Sequence, residues 1–341
     1  MNDLERYGWG DRWAALLDAA GVPGAVPGRV VRHDGVALTV ALADGVRQVA
    51  LTRAVDPPPA VGDWVAVAHE AAMAVLPRTT LLTRRSARSD APQTLAANVD
   101  GVLVVCGLDR PVRAGRIDRF VTLAWDAGAV PAVVLTKADL AVDAEAVAED
   151  VAAAHPGVDV VTATVTRPDG ADAARALAAG RTVVLVGESG AGKSSLANAL
   201  LGDDVMATGL VRAGDAKGRH TTTTREAHPL PGGGVLIDTP GLRAVGLTAD
   251  PDAVAATYAD IDELAASCRF SDCGHDGEPG CAVAAAVEAG DLSRRRLAGW
   301  RALEAEAASA ELRANPRLLR DRNRRFGRAA RDAQRRKRDE R

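Results

Sequence analysis

Nowhere do the 341 residues include a run of about eighteen apolar positions, so no membrane-spanning helix is expected. The opening residues Met1-Asn2-Asp3-Leu4-Glu5-Arg6 lack the basic and apolar regions of a secretory signal, and a cytoplasmic protein is expected. Cysteine is scarce. Of the four present, three cluster with a histidine, and Cys106 sits alone beside the apolar run Val102-Leu103-Val104-Val105. That distribution fits metal binding in a reducing compartment better than a disulfide framework, and it makes Cys106 a core residue. Aromatic residues make up only 3% of the chain. Between residues 28 and 82 the sole aromatic is Trp64, which reads as core rather than as a platform on which unpaired bases stack.

Net charge is also small, −3, but it is unevenly spread. Residues 313–341 hold 13 Lys or Arg against 4 Asp or Glu, a net of +9, which leaves −12 on the remainder. An acidic body with a basic tail suggests that the tail meets a polyanion. The length allows two or three domains with substantial cores.

What the sequence does contain is organised around Gly187-Glu188-Ser189-Gly190-Ala191-Gly192-Lys193-Ser194. An apolar strand, residues 182–186, enters this stretch, and a helix starting with Ser195-Leu196-Ala197 leaves it. The glycines let successive backbone N–H groups turn inward around a polyphosphate, and the helix N-terminus adds the positive end of its dipole. Lys193 would reach the β- and γ-phosphates, and the Ser194 hydroxyl would hold Mg²⁺. An ordinary strand-to-helix turn accounts for the glycines but not for the lysine and serine behind them.

The base would be read earlier in the chain. Val133-Val134-Leu135 is a buried strand that ends in Thr136-Lys137-Ala138-Asp139. The Asp139 carboxylate can accept hydrogen bonds from guanine N1–H and the 2-amino group, whereas adenine would leave it unpaired. Thr162-Ala163-Thr164, at the end of a further strand, occupies the place where GTPases usually put a backbone contact to the guanine carbonyl. After the phosphate loop, the strand Val235-Leu236-Ile237 ends in Asp238-Thr239-Pro240-Gly241, where Asp238 would hold Mg²⁺ through water and the Gly241 N–H would sense a γ-phosphate. Between them, Gly218-Arg219-His220-Thr221-Thr222-Thr223-Thr224 is a polar loop, and Thr222 or Thr223 is expected to complete the metal shell. In most GTPases the phosphate loop precedes the guanine-reading motif; here Asp139 precedes Lys193. A fold whose usual ends are joined and whose chain is opened elsewhere accommodates that order.

With Asn98-Val99-Asp100, these motifs resemble the RsgA (YjeQ) family, the small-ribosomal-subunit-dependent, circularly permuted GTPases of bacteria, over nearly the whole chain. The resemblance implies a 30S subunit partner with its rRNA, a role in late 30S assembly, and an OB-fold for the N-terminal barrel. That barrel is read independently from short alternating runs and Asp-Gly turns between residues 28 and 82. Arg78, Arg84, Arg85 and Arg88 follow it, and this Arg-rich linker is the candidate for phosphate contact. Residues 1–24 read as one amphipathic helix with Trp13, Leu16 and Leu17 inward.

Farther on, Cys268, Cys273, His275 and Cys281 lie within fourteen residues and form a full Cys₃His set for tetrahedral Zn²⁺ with no open position, which argues for a structural ion. The expected organisation is a helical segment (1–24), an all-β barrel with its linker (25–90), a central α/β permuted GTPase (95–250), a zinc-binding helical module (251–312) and a basic tail (313–341). A monomer is expected.

Two positions depart from the usual GTPase pattern. Thr136 stands where asparagine is commoner and removes an amide that helps tie the base site to the phosphate loop. Leu242 follows Gly241 where Ras-like proteins keep a water-orienting glutamine, so intrinsic hydrolysis should be slow. His220, whose imidazole can orient or deprotonate water, is the expected replacement, as the resemblance also implies. Two other readings stay open: a GTP-sensing RNA-binding module with incidental hydrolysis, and a metal-delivery GTPase with the Cys/His cluster as its cargo site.

Overall fold

The computed structural model describes residues 3–35, 37–52, 54–86, 89–202, 225–239 and 251–314. His220, Thr222, Thr223, Gly241, Leu242, Arg88 and the tail from residue 315 lie outside the described residues.

The N-terminal segment forms two helices rather than the expected single one, α1 (Asp3–Arg6) and α2 (Asp11–Ala19). Gly8 separates them with a φ of +86°, a left-handed conformation that ends the first helix. The segment is nonetheless packed down, with the rings of Trp9 and Trp13 centred 4.9 and 5.7 Å from that of Trp64. Trp64 is fully buried, as its reading as core requires.

Five strands follow: β1 (Val26–His33), β2 (Ala37–Leu42), β3 (Gly45–Leu51), β4 (Trp64–Ala68) and β5 (Ala71–Val75). β1 pairs with both β2 and β4, β3 with β2 and β5, and β5 with β4, so the barrel closes. Inward-facing Val30, Leu38, Val40, Val65 and Val67 fill it. Gly28 is required on β1 because a Cβ there would stand 2.4 Å from Val40 Cγ1. The alanine-rich β5 carries little strand propensity of its own, and its turn from β4 holds His69 and Glu70 at positive φ without the usual glycine or asparagine.

The expected Arg-rich linker is instead largely an antiparallel hairpin, β6 (Leu81–Ser86) with β7 (Ser89–Ala97). Arg78, before it, is committed to the fold. Its Nε and Nη2 donate to the fully buried Asp63 carboxylate at 2.8 and 2.7 Å, and Nη2 donates also to Pro58 O at 2.8 Å.

The nucleotide domain contains β8 (Gly101–Gly107), α3 (Ala114–Asp126), β9 (Val130–Thr136), α4 (Ala144–Ala154), β10 (Asp159–Ala163), α5 (Asp172–Ala178), β11 (Thr182–Gly187), α6 (Lys193–Leu201), β12 (Glu226–Pro229) and β13 (Val235–Asp238). Its sheet runs β10-β9-β8-β11-β13-β12 and is parallel except for β12, which pairs antiparallel with β13. The inner parallel strands β8, β9, β11 and β13 are nearly continuous apolar runs because both faces are covered, whereas the edge strand β10 is mixed and only partly buried. Val104, Val133 and Val186 pack toward α3 and α4, while Leu103, Val134 and Leu185 pack toward α5 and α6. The C-terminal ends of β8, β9, β11 and β13 therefore share one edge, where an open α/β sheet places its ligand.

Barrel and sheet are joined covalently, by pairing and by a buried polar knot. β1 bonds to β12 with Arg32 opposite Glu226. Arg29, 3% exposed, donates to Thr182 Oγ1 at 2.8 Å and to Tyr7 O, and its guanidinium lies 5.2 Å from the Trp64 ring centre. Burial lowers its pKa to about 10. Asn98 Oδ1 accepts from Thr79 N at 2.9 Å, and Asp100 Oδ2 accepts from Thr182 N at 2.7 Å, so Asn98-Val99-Asp100 serves this joint.

The C-terminal helices are α7 (Pro251–Thr257), α8 (Ala259–Ala265), α9 (Ala282–Ala289) and α10 (Arg294–Ala314). They sit on α3 through the Thr122–Thr257 hydroxyl pair at 2.8 Å and the Arg119–Glu306 ion pair at 2.7 Å. Arg296 of α10 bonds Asp260 at 2.8 Å and Thr257 O at 2.8 Å. No helix among the described residues is long and apolar enough to cross a membrane.

Because Asp63 has no exposed side-chain surface, removing its cation leaves a buried charge uncompensated. Arg78→Ala is expected to destabilise the protein by about 3 kcal/mol, read from the urea midpoint. An unmoved midpoint would return Arg78 to the pool of free phosphate-binding arginines.

Candidate functional site

The phosphate loop leaves β11 at Gly187, whose φ is +144° and whose Cβ, if present, would lie 2.2 Å from Val105 O. Only glycine fits so close to β8. Gly190 and Gly192 also hold positive φ, +78° and +87°, and turn the chain into α6. That helix has no side-chain cap, so the N–H groups of its first turn are available to an anion. Lys193 Nζ spans the loop, donating to Gly187 O at 2.9 Å and Glu188 O at 2.7 Å. Ala191 is buried, Ser195 half-buried, and Ser189 and Ser194 are exposed.

Thr136, at the end of β9, donates its hydroxyl to Ala191 O at 2.5 Å. The tie expected to be lost with the asparagine amide is thus kept by the threonine hydroxyl. Gly192 leaves room for it, since a Cβ there would stand 3.2 Å from Thr136 Oγ1. Lys137 adopts φ +57°, and its Nζ donates to Gly190 O at 2.7 Å and to Asp109 Oδ2 at 2.8 Å. Ala138 begins a single 3₁₀ turn, Ala138–Leu140, and Asp139 is exposed at the sheet edge. The segment Thr136-Lys137-Ala138-Asp139 and the phosphate loop, some fifty residues apart in sequence, are therefore in direct contact through two side-chain bonds. Thr164 follows β10, whose last residue Ala163 lies opposite Thr136.

At the end of β13, burial raises the pKa of Asp238, while the charges of His228 and Lys193 pull it the other way. Lys193 and Asp238 thus act on one another at the loop, an ammonium and a carboxylate suited to a phosphate and its divalent counter-ion. The threonine loop and Gly241 lie outside the described residues.

Sequence reading missed a set of charges on the loop after β8. Asp109 accepts from Lys137 and from Arg110, at 3.1 Å from Arg110 Nη2, and these bonds lower its pKa to about 2. Arg116 of α3 lies 2.5 Å from Glu188, and Arg110 lies 4.0 Å from it. The available signal was topological: β8 is parallel to β9 and β11, so its following loop must reach the same edge.

The cysteines form a second site. The ligand atoms of Cys268, Cys273, His275 and Cys281 all lie within 4.8 Å of one another. Cys268 Sγ is 4.0 Å from Cys281 Sγ and 3.6 Å from His275 Nδ1. Metal–sulfur bonds of about 2.3 Å in a tetrahedron give sulfur separations near ~3.8 Å, so the four groups fit one metal ion. Glu278 braces the loop by accepting from Gly274 N and Asp276 N at 2.9 and 2.7 Å, and Arg301 donates to His275 O at 2.6 Å. Cys281 begins α9, its sulfur accepting from Ala284 N at 3.3 Å.

The sheet order, the phosphate loop at the central strand and the base motif on an earlier strand define a circularly permuted phosphate-loop GTPase. Residues 75–248 match the family described as RsgA GTPase. The Small ribosomal subunit biogenesis GTPase RsgA of Streptomyces coelicolor is 46% identical over 350 residues, covering 97% of this chain and 96% of its own. The protein of the same name from Xanthomonas euvesicatoria is 48% identical over 256 residues, 74% of this chain and 70% of its own. The chain belongs to the RsgA GTPase family and is a GTP hydrolase. Among solved structures, YjeQ from Thermotoga maritima superposes with a TM-score of 0.63 at 24% identity, over 83% of this chain and 99% of that one. YloQ, described as a circularly permuted GTPase, gives 0.61 at 25% identity, over 84% and 96%.

Cys268→Ser is expected to lower bound metal from one equivalent to none, measured by elemental analysis, and to loosen the segment 268–281 in hydrogen exchange while GTP binding persists. Retained metal in that variant would remove Cys268 from the ligand set.

Proposed function

We propose that this chain hydrolyses GTP in late assembly of the small ribosomal subunit, binding 30S rRNA and leaving after turnover. The observation that carries the nucleotide choice is the pair of bonds from Thr136 and Lys137 to Ala191 and Gly190, which draws Asp139 and Lys193 toward one ligand. In this reading Asp139 accepts from guanine, residues 187–195 wrap the phosphates, and Ser194, Asp238 and Thr222 or Thr223 hold Mg²⁺. The N–H of Gly241 senses the γ-phosphate. Cys268, Cys273, His275 and Cys281 hold one structural Zn²⁺. The relatives' name supplies the subunit, and the basic tail and barrel are consistent with an RNA partner. The protein acts as a cytoplasmic monomer, divided near residues 24 and 250; the divisions expected at 90–95 and 312 fall within β7 and α10.

Leu242 cannot orient water, so turnover is slow until the subunit completes the site, and His220 does the orienting. Hydrolysis of GTP and ATP, with and without purified 30S subunits and at two salt concentrations, tests base choice, partner and electrostatic docking together. GTP-selective turnover that rises at least tenfold with subunits and falls with salt is the expected result. Equal turnover with and without subunits would favour a GTP-sensing RNA-binding module. His220→Ala should leave GTP affinity within about twofold and abolish the stimulated rate; an unchanged stimulated rate would take His220 out of the mechanism.

A further inference from the structure

Lys137 is the one residue of the base motif whose side chain reaches the phosphate loop as a charge. Its backbone sits at φ +57°, which a non-glycine residue does not choose without compensation. The compensation on the base side is the bond to Gly190 O, and on the other side it is Asp109, 2.8 Å away. Asp109 is itself held. Arg110 Nε and Nη2 donate to its two carboxylate oxygens at 3.3 and 3.1 Å, and Gly107 leaves it space, since a Cβ there would meet Asp109 Oδ1 at 2.7 Å. A larger residue at 107 would push the carboxylate off the lysine.

We infer that Asp109 is a positioning residue for the nucleotide, holding the Lys137 ammonium on Gly190 O so that the base motif and phosphate loop keep their spacing before ligand arrives. This deepens the GTPase reading and rests on it. The aspartate touches neither base nor phosphate in this role; it acts through Lys137. An ammonium with a single carbonyl acceptor can swing into solvent, and rotation of the Lys137 stem would release Gly190 from the base motif. Fixing the lysine beforehand lowers the ordering cost that binding otherwise carries. The effect is limited in size because both side chains are about three-tenths exposed, and partly exposed ion pairs contribute modestly.

The role predicts a specific pattern in GDP and GTP dissociation, measured with a fluorescent nucleotide analogue on the full chain. Asp109→Ala should release nucleotide about fivefold faster and raise KM by a similar factor, with kcat at saturating GTP unchanged. Asp109→Asn, which keeps an acceptor for the lysine, should recover much of the loss, to within about twofold of the parent. In a Lys137→Met background, Asp109→Ala should add less than about twofold, because its route of action is gone. Full additivity in that double variant, or unchanged dissociation in Asp109→Ala, would overturn the inference. If the unaltered protein bound ATP as well as GTP, the GTPase reading itself would fail, an outcome distinct from either.

Discussion

Everything at the nucleotide edge depends on two carbonyl oxygens of the phosphate loop being held by side chains from a segment some fifty residues earlier. A loop that must present its N–H groups inward turns part of its carbonyls outward, where donors from a neighbouring segment can reach them. Thr136 satisfies Ala191 and Lys137 satisfies Gly190. The same two bonds therefore set the spacing between residues 136–139 and the loop 187–194. A residue can serve in this way only if β9 ends beside β11 with one strand between them, which the order β9-β8-β11 provides.

That spacing is connected to the rest of the molecule by α3. Arg116, in its first turn, faces Glu188 of the phosphate loop at 2.5 Å. One turn and more along, Asp118 accepts from His155 at 2.9 Å, and Thr122 and Arg119 bind the C-terminal helices. The helix thus touches the phosphate loop at one end and, along its length, the C-terminal module that carries the Cys₃His cluster. Among the described residues the two are connected through packed helix and ion pair.

The sequence made the nucleotide domain legible because β9, β11 and β13 are short apolar runs that lead into residues whose type has a chemical reason. The metal cluster was legible for a similar reason: three thiolates and an imidazole at short spacing complete one tetrahedral shell. What escaped was set by three-dimensional contact. β5 is alanine-rich and became a strand because β3 and β4 offered it partners; its turn used His69 and Glu70 where glycine or asparagine would have announced it. Arg78 looked like a free cation because its partner, Asp63, lies fifteen residues away behind a strand. Thr136 looked like a loss because the comparison was with an amide, whereas a hydroxyl at the same place reaches the same loop. The N-terminal segment read as one helix from Trp13, Leu16 and Leu17, whereas Gly8, at positive φ, separates α1 from α2.

Permutation has a mechanical consequence that the unpermuted order lacks. Opening the chain ahead of β8 makes that strand the entry from the barrel, and the break after β13 makes it the exit to the C-terminal module. Both are the direct neighbours of β11, which carries the phosphate loop. The entry is further bound to the start of β11, because Asp100 accepts from Thr182 N and Arg29 donates to Thr182 Oγ1. A load on the barrel is therefore applied to the base of the phosphate-loop strand through buried, hydrogen-bonded groups, and a load on the C-terminal module reaches the loop through α3. In the usual order β8 and β13 would both be interior to the chain and neither could receive an appended domain without interrupting the nucleotide fold. Joining the flanking modules to the two strands beside β11 places both modules within one strand of the phosphate loop.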